Sequence, residues 1–300
     1  MTSTIAKEIP SDQMMPSARV IADSVSEVSG QRLTTMVCTM HRFVLAEFNT
    51  HRVFSRSSAS SRAIPVERQL ERLSAGTASP VKWPSEQPGM QGGKNLTGTD
   101  KWGAQELWHD IASYTAEAVQ EYLDSHPDKS TRVHKSVINR LLEPFMWHTV
   151  IVSSTEWGNF FDQRVSLLAQ PELALTARAM FVALESSTPK ELMVGEWHKP
   201  FIEPEEEESC PLLAQLAAST ARCARISFLN HEGVRSMPDD MKLANRLYFA
   251  NPRHAAPFEM PATPAVGSSI GNFEGFHQLR HHLTHAGMAE DFEAVLNVTA

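Results

Sequence analysis

Hydrogen-bond donors are concentrated in one short stretch of the sequence, NTHRVFSRSSASSR, which runs from Asn49 to Arg62. The stretch holds five serines, one histidine and three arginines, Arg52, Arg56 and Arg62, but no acidic residue and no lysine. An arginine presents a planar fork of donors that suits phosphate oxygens, and a serine hydroxyl is a short donor that fits close to an anion. The stretch therefore predicts a site for a small anion, a phosphate or an acidic ring system. The alternative is that each arginine forms only surface ion pairs.

Other kinds of chemistry find less support in the sequence. There is no glycine-rich phosphate loop, and there is no GxSxG turn that would carry a nucleophilic serine. His277 and His281 are one helical turn apart and next to His282, which is a possible metal-ligand spacing, but an HExxH glutamate is missing. We therefore expect neither a P-loop or dinucleotide fold, nor a serine hydrolase, nor a metal site.

Composition sets further bounds on the function. The chain has 300 residues, a net charge of -8, 42% hydrophobic and 21% charged residues, which is ordinary for a globular protein of one large or two small domains. A protein that binds a nucleic-acid polymer usually shows a basic domain or stripe. No apolar run approaches the roughly 20 residues that cross a membrane. We therefore expect neither a nucleic-acid polymer nor a membrane as a partner.

The cysteines and the N-terminus bear on the cellular location. Cys38, Cys210 and Cys223 are scattered, odd in number and without a CxxC pair, which favours neither a disulfide framework nor a zinc site. The N-terminus lacks the apolar segment of a secretory signal. We therefore expect a reducing, cytoplasmic location, and residues 1–18 are predicted to be a flexible tail.

The elements that must position the donors follow from periodicity and turn residues. Leu33–Phe48 is predicted to begin as a strand and to continue as a helical turn into the polar stretch, and Val66–Leu73 to form a short helix. Pro80–Lys101 has the composition of a loop. Gly103–Leu123 is predicted to be an amphipathic helix. Its apolar face consists of Leu107, Ile111, Tyr114, Ala118 and Tyr122.

The rest of the chain is predicted to be largely helical. The acidic run Glu203–Cys210 is typical of a solvated linker, and Ile226–Leu229 is predicted to be a strand. Helices are predicted over Val133–His148, Pro171–Leu184, Leu212–Arg222, residues 239–250 with Asp239 as the cap, and residues 273–296.

The polar stretch resembles the signature of the flavin-dependent thymidylate synthase family. That signature is Arg-His-Arg, seven residues, a serine, and an arginine two residues later. Here it reads Thr50-His51-Arg52, VFSRSSA, then Ser60-Ser61-Arg62, so the spacing holds and only the first arginine is missing. The segment NRLLEP to AQPEL is similar to the family's downstream segment, with Arg140, Asn159, Arg164 and Ala169–Leu173 in corresponding places.

A third similarity lies out of order along the chain. The family normally has an ARVS-aromatic strand and an HxSPFEH turn before the signature, whereas ARISF (Ala224–Phe228) and HAAPFEM (His254–Met260) follow it here. The chain therefore resembles a circularly permuted, phage-type member, with the joint in the acidic run. We expect a tail at 1–18, a signature-bearing part at 19–202, a linker at 203–210, and a segment at 211–300 that completes the same domain.

The resemblance implies a fold, a reaction and an assembly. The fold would be α/β (α+β), with a central, mostly antiparallel sheet surrounded by helices and a helical subdomain around residues 103–190. The reaction would transfer a one-carbon unit from methylenetetrahydrofolate to C5 of dUMP, with FAD as the cofactor and NADPH as its reductant. The protein would be a homotetramer with shared active sites, in the cytoplasm of the host cell if a phage encodes it.

The resemblance also implies roles for individual residues. Arg164 and Ser60 would be catalytic. The residues expected to bind the flavin are Thr50, His51, Arg52, Val53, Ser58, Asn159 and Ser227. The residues expected to bind the nucleotide are Glu47, Ser60, Ser61, Arg62, Arg140 and Arg164.

Departures from the family pattern leave alternatives open. Thr50 replaces an arginine, Glu47 replaces a glutamine, and Met260 replaces a histidine near the flavin. A carboxylate at Glu47 would accept from the amino group of cytosine, so dCMP is an alternative substrate. If Glu47 pairs with an arginine instead, dUMP remains the substrate. A 5-hydroxymethyl product and a non-catalytic flavin- or nucleotide-binding protein are the further alternatives.

Overall fold

A computed structural model describes residues 15–230 and 232–298 of the chain. These residues form a five-stranded sheet and a two-stranded sheet, with helices packed around them. The strands are β1 (Ser17–Ser26), β2 (Arg32–His41), β3 (Ser55–Ser58), β4 (Trp147–Ser154), β5 (Lys190–Leu192), β6 (Ala262–Pro264) and β7 (Phe276–Gln278). The helices are α1 (Leu45–Phe48), α2 (Val66–Ala75), α3 (Gly98–Ser125), α4 (Lys135–Leu142), α5 (Gly158–Arg164), α6 (Pro171–Glu185), α7 (Pro204–Ser209), α8 (Leu212–Arg225), α9 (Met237–Tyr248), α10 (Leu279–His282) and α11 (Ala286–Val298).

The larger sheet has the strand order β3-β4-β2-β1-β5. Its first three pairings are antiparallel, and β5 pairs with β1 in parallel over three residues. The smaller sheet is the antiparallel pair β6-β7. The predicted mixed α/β class with a mostly antiparallel central sheet is therefore confirmed.

The two central strands are buried on both faces because their side chains alternate between two clusters. Met36 on β2 and Val152 on β4 pack against α5 and α6 on one face. Val37 on β2 and Ile151 on β4 pack on the other face, against the end of α8 and Met260. The strand that carries part of the polar stretch, β3, is an edge strand beside β4.

Two predicted element boundaries are wrong around β4. The helix predicted over Val133–His148 ends at Leu142, because Pro144 lies in a 3-10 turn over Glu143–Phe145 and cannot continue an α-helix. The next residues form β4, a strand that the sequence analysis missed. The strand predicted over Ile226–Leu229 is also wrong, because Ile226 takes a left-handed conformation at φ 63° that ends α8.

The long helix α3 exists, but its predicted apolar face is largely on the surface. Leu107 and Ile111 are 61% and 47% exposed, and Tyr114 is 72% exposed. The buried face is formed by smaller residues such as Ala112 and Val119, which pack against α2 and α4. The helical subdomain expected around residues 103–190 is correspondingly smaller, because α6 packs on the sheet instead.

The acidic run is a helix rather than a plain linker. Residues Pro204–Ser209 form α7, whose first turn is closed by a capping box between Glu203 and Glu206. Both carboxylate oxygens of Glu206 accept hydrogen bonds from Arg222, whose side chain is fully buried. The run is therefore fastened to α8; the predicted domain boundaries themselves stay predictions. On α9 the cap is Ser236, not Asp239, because its hydroxyl accepts from the Asp239 amide.

Candidate functional site

The end of α5 meets the turn that carries the first half of the polar stretch. Arg164 donates from Nε to Nε2 of His51 at 2.9 Å and from Nη2 to Oγ1 of Thr50 at 3.2 Å. The two partners lie 113 and 114 residues before Arg164 in the chain. Three residues predicted to serve one site from two separate motifs are thus in direct contact.

Aromatic packing and backbone hydrogen bonds fix this turn. The His51 ring packs edge-on against Phe160 at 4.8 Å and stacks with Phe54 at 5.8 Å, and both phenylalanines belong to the core beneath the sheet. Arg56 donates to the carbonyls of Phe48 and His51 at 3.4 and 3.3 Å. The His51 ring is therefore held in one orientation with its Nε2 edge toward Arg164.

The electrostatics of this contact keep His51 neutral. Burial lowers the pKa of His51, and the nearby positive charges of Arg164 and Arg56 lower it further. Nε2 accepts the hydrogen bond from Arg164, so the ring proton must be on Nδ1. Nη1 of Arg164 donates to none of the described residues, which leaves it free for a ligand.

A second polar group lies around Glu143, in the 3-10 turn that follows α4. Its Oε1 accepts hydrogen bonds from the Ser61 hydroxyl, from Arg140 at 3.0 Å and from Arg42 at 3.1 Å. Burial opposes ionisation of Glu143, but the hydrogen bond from Ser61 and the charges of Arg42 and Arg140 outweigh it and hold its pKa below the usual value. The sequence analysis predicted Ser61 and Arg140 as site residues but missed Glu143 and Arg42.

Hydrogen bonds from α4 fix the loop that carries Ser61. Asn139 on α4 is fully buried and donates from Nδ2 to the carbonyls of Ser61 and Ile64, at 2.7 and 2.9 Å. On the other side, Arg42 donates to Nδ1 of His148 at 2.8 Å. Burial and the charge of Arg42 lower the pKa of His148 to about 3, so this imidazole is an uncharged acceptor.

The two polar groups lie at opposite ends of β3. The turn with His51 precedes this strand and the loop with Ser61 follows it. The strand therefore lies between the two groups along the chain, an arrangement that suits two ligands, or one long ligand, better than a single small ion.

None of the three arginines of the polar stretch forms an ion pair with a described residue. Arg52 and Arg62 are exposed, and the Arg56 guanidinium binds the two backbone carbonyls. The ion pairs within residues 15–230 and 232–298 are formed by other arginines and by lysines. The surface-ion-pair interpretation of these arginines therefore finds no support within the described residues.

The other predicted site residues lie apart from these contacts. The backbone amide of Asn159 donates to the Glu156 carboxylate at 3.3 Å, and the Ser227 hydroxyl accepts from the backbone amide of Leu229 at 3.0 Å. Within the described residues the Glu47 carboxylate forms no ion pair, although its backbone carbonyl accepts from Thr50. Those with exposed side chains are Glu47, Arg52, Val53, Ser58, Ser60, Arg62 and Asn159. Their roles stay predictions.

The segments that the resemblance places out of order pack against the strands beside the polar stretch. Met260 accepts from the Ser153 hydroxyl on β4 at 3.1 Å. Ser55 on β3 accepts from Gln278 at 2.9 Å and from Asn272 at 3.3 Å. The end of α8 and the 254–280 region therefore cover one face of the sheet next to β3 and β4.

Two clefts lie away from the predicted residues. An open groove of about 450 Å³ runs between β1 and α6, and a cleft of about 200 Å³ lies between the loop near Met90 and the start of α6. Neither is lined by a predicted site residue. Over residues 15–230 and 232–298 we find no helix long and apolar enough to cross a membrane and no group of three potential metal ligands.

No protein-family model and no curated protein matches the chain. Among solved structures it is similar to the crystal structure of a UMP/dUMP methylase, PolB from Streptomyces cacaoi, bound with 5-Br UMP. The two share 12% sequence identity, the match covers 57% of this chain and 89% of that chain, and the TM-score is 0.43. A likeness at this level establishes neither a shared family nor a shared activity.

Proposed function

We propose that this chain is a flavin-dependent enzyme that transfers a one-carbon unit from methylenetetrahydrofolate to C5 of a pyrimidine deoxynucleotide, converting dUMP to dTMP. The observation that supports this most strongly is the contact of Arg164 with His51 and Thr50. It joins the two sequence motifs on which the resemblance rests. A chance resemblance gives no reason for the two motifs to meet in space.

The chain offers suitable donors for FAD. An anionic dinucleotide needs cationic donors that no carboxylate already occupies, and Arg52 has no such partner among the described residues. When bound, reduced FAD would supply the hydride that completes the methyl group, and NADPH would reduce the flavin. The residues that would hold it are Thr50, His51, Arg52, Val53, Ser58, Asn159 and Ser227.

The nucleotide would use a second set of donors, of which Ser61 and Arg140 also contact Glu143. Ser60, Ser61 and Arg62 would bind its phosphate, and Arg140 would contact it from α4. Arg164 would lie at the pyrimidine edge, where its free Nη1 would stabilise negative charge as C5 becomes nucleophilic. Because His51 is a neutral acceptor, it holds the Arg164 guanidinium in place without cancelling its charge.

A second candidate, dCMP as the substrate, is favoured by the state of Glu47. Its carboxylate is exposed and pairs with no arginine among the described residues. An ionised carboxylate beside the base would repel O4 of uracil and accept from the N4 amine of cytosine. A site built around one polar pattern can reject the wrong partner by about 10⁴-fold, so the two nucleotides should be clearly distinguished.

The openness of the site supports the expected assembly. Most of the predicted residues are exposed, although His51 and Ser61 are buried, and none lines the groove beside β1 or the cleft near Met90. A second copy that covers this surface would exclude water from the reaction, as a homotetramer with shared sites would do. Light scattering that gives a monomer at working concentrations, with the cofactor and nucleotide present, would contradict this assembly.

Flavin binding tests the proposal. The purified protein should be yellow, and denaturation should release FAD that chromatography identifies. The variant Arg52→Gln should lose flavin, whereas Arg72→Gln, an exposed arginine on α2, should keep it. If the chain binds no FAD after reconstitution with an excess, the proposed function fails.

A further inference from the structure

The contacts of Glu143 have the form of an occupied anion site. Its carboxylate receives the Ser61 hydroxyl and the guanidinium groups of Arg42 and Arg140, and all three donors share Oε1. Arg140 also reaches Oε2 at 3.2 Å. Two guanidinium groups and a hydroxyl that converge on one anionic oxygen are the donor set that binds a phosphate oxygen.

Two of the three donors, Arg42 and Ser61, are built into the fold, whereas Arg140 reaches Glu143 from the surface with a side chain that is 58% exposed. The Arg42 side chain is 15% exposed and is anchored by its hydrogen bond to His148. Ser61 is 4% exposed, and Asn139 holds its backbone carbonyl. These donors would keep their places if the Glu143 carboxylate moved away.

The Glu143 side chain is open to solvent on one side. It is 22% exposed and lies in a 3-10 turn at the protein surface. His148 is neutral, so the local charge consists of two arginines against one carboxylate. Removal of that carboxylate would leave both arginines without their shared partner, which favours uptake of another anion.

We propose that Glu143 is an internal competitor that occupies an anion site formed by Ser61, Arg42 and Arg140, and that the phosphate monoester group of a nucleotide displaces it. Glu143 thereby sets the affinity of the site and excludes weakly binding anions. This inference rests on the proposed function for the identity of the nucleotide, but inorganic phosphate tests the site independently.

Isothermal titration with inorganic phosphate, dUMP and deoxyuridine tests the proposal on the full chain. The variant Glu143→Gln keeps the shape and the acceptor oxygen but removes the charge. We expect it to bind phosphate and dUMP about tenfold or more tightly than the unmodified chain, because a like charge at a binding site opposes association strongly. Deoxyuridine, which lacks the phosphate, should bind both equally.

Two further variants control for folding and for general charge. Glu71→Gln removes a carboxylate from the exposed i,i+3 pair with Arg68, the same spacing as Arg140 and Glu143, and should leave phosphate affinity unchanged. Glu143→Asp keeps the charge on the turn but is one methylene too short to reach all three donors. It should also tighten phosphate binding, and it decides the question if Glu143→Gln does not fold.

The outcomes separate this inference from the proposed function. Tighter phosphate binding without any nucleotide binding supports the anion site and overturns the proposed function. Nucleotide binding that is the same in the unmodified chain and in Glu143→Gln overturns the inference and leaves the proposed function intact. Phosphate binding that weakens in Glu143→Gln, or that is absent from every variant, also overturns the inference.

Discussion

Arg222 offers the sharpest test of how the acidic helix is held to the rest of the chain. Its side chain is fully buried, donates to the fully buried Asp240 at 2.8 Å and makes two hydrogen bonds of 2.6 Å to Glu206 on α7. A fourth hydrogen bond, to the Phe201 carbonyl, measures 2.7 Å. The substitution Arg222→Met keeps much of the volume and removes every one of these donors.

The expected loss follows from what the substitution leaves behind. The Asp240 carboxylate would remain buried with Arg225 as its single cationic partner, and the Phe201 carbonyl would lose a donor. Removal of one partner from a buried ion pair costs about 3–5 kcal/mol. Because Arg225 still pairs with Asp240, we expect about 3 kcal/mol, a large part of the roughly 5–15 kcal/mol that stabilises a typical domain.

Urea unfolding followed by circular dichroism measures this loss as a shift of the midpoint at constant slope. Arg68→Met is the matched control, because Arg68 makes an exposed ion pair with Glu71. An exposed pair of this kind contributes about 0.5 kcal/mol or less. If Arg222→Met costs no more than Arg68→Met, α7 is not fastened by this network, and the linker interpretation of the acidic run stands.

His198, Arg164 and Arg62 provide further tests. His198 is 1% exposed and hydrogen-bonded to Ser24 on β1 and Thr35 on β2, at 2.9 and 2.7 Å. Burial lowers its pKa to about 3, so the unfolded chain takes up a proton near pH 6.5 that the folded chain does not. The free energy of unfolding should therefore fall as the pH drops below about 6.5, by up to about 1.4 kcal/mol per pH unit for this group, and a slope unchanged in His198→Gln would contradict this. Arg164→Gln should raise the pKa of His51, measured by NMR titration, since it removes a positive charge but leaves the ring buried; an unchanged or lower pKa would argue against the contact. Arg62→Ala should weaken dUMP binding measurably, because it removes a cationic donor from the phosphate site, and should leave FAD bound, whereas Arg72→Ala should change neither; equal nucleotide affinity in both variants would refute the phosphate role of Arg62.

Elements with one clear periodic pattern could be predicted from the sequence. The strand that begins near Leu33, the helix after Pro65 and the helix that starts at Pro171 have their predicted type and nearly their predicted bounds. Each has an apolar pattern of one period next to a turn or a proline, so local and tertiary preferences agree.

The errors arose where local patterns were ambiguous. The run WHTVIVSS follows a helix directly, and a short apolar run cannot be assigned to helix or strand by periodicity alone. On α3 the larger residues, such as Tyr114, suggested the buried face, but the space beside α2 and α4 admits small residues such as Ala112. Tertiary packing decided which face is buried.

The candidate site could also be predicted only in part from the sequence. A shared site for Arg164 and His51 could be predicted from the sequence, because each of their two motifs is recognisable by itself. The contacts of Glu143 could not be predicted, because Arg42 lies 101 residues and Ser61 lies 82 residues before it, and neither spacing carries a local signal. Likewise, the composition of the acidic run predicted a solvated linker. Composition alone does not reveal that Glu206 contacts a buried arginine.

Tritium release from C5-labelled pyrimidine nucleotides tests the proposed function most directly. The FAD-loaded protein is supplied with NADPH, methylenetetrahydrofolate and either dUMP or dCMP, and mass spectrometry identifies the product. We predict tritium release from dUMP and a product that is heavier than the substrate by one methyl group in place of hydrogen. Release from dCMP alone would change the substrate to the second candidate, and an added hydroxyl would change the reaction to hydroxymethylation. Absence of release from both nucleotides, with FAD bound, would contradict the proposed function.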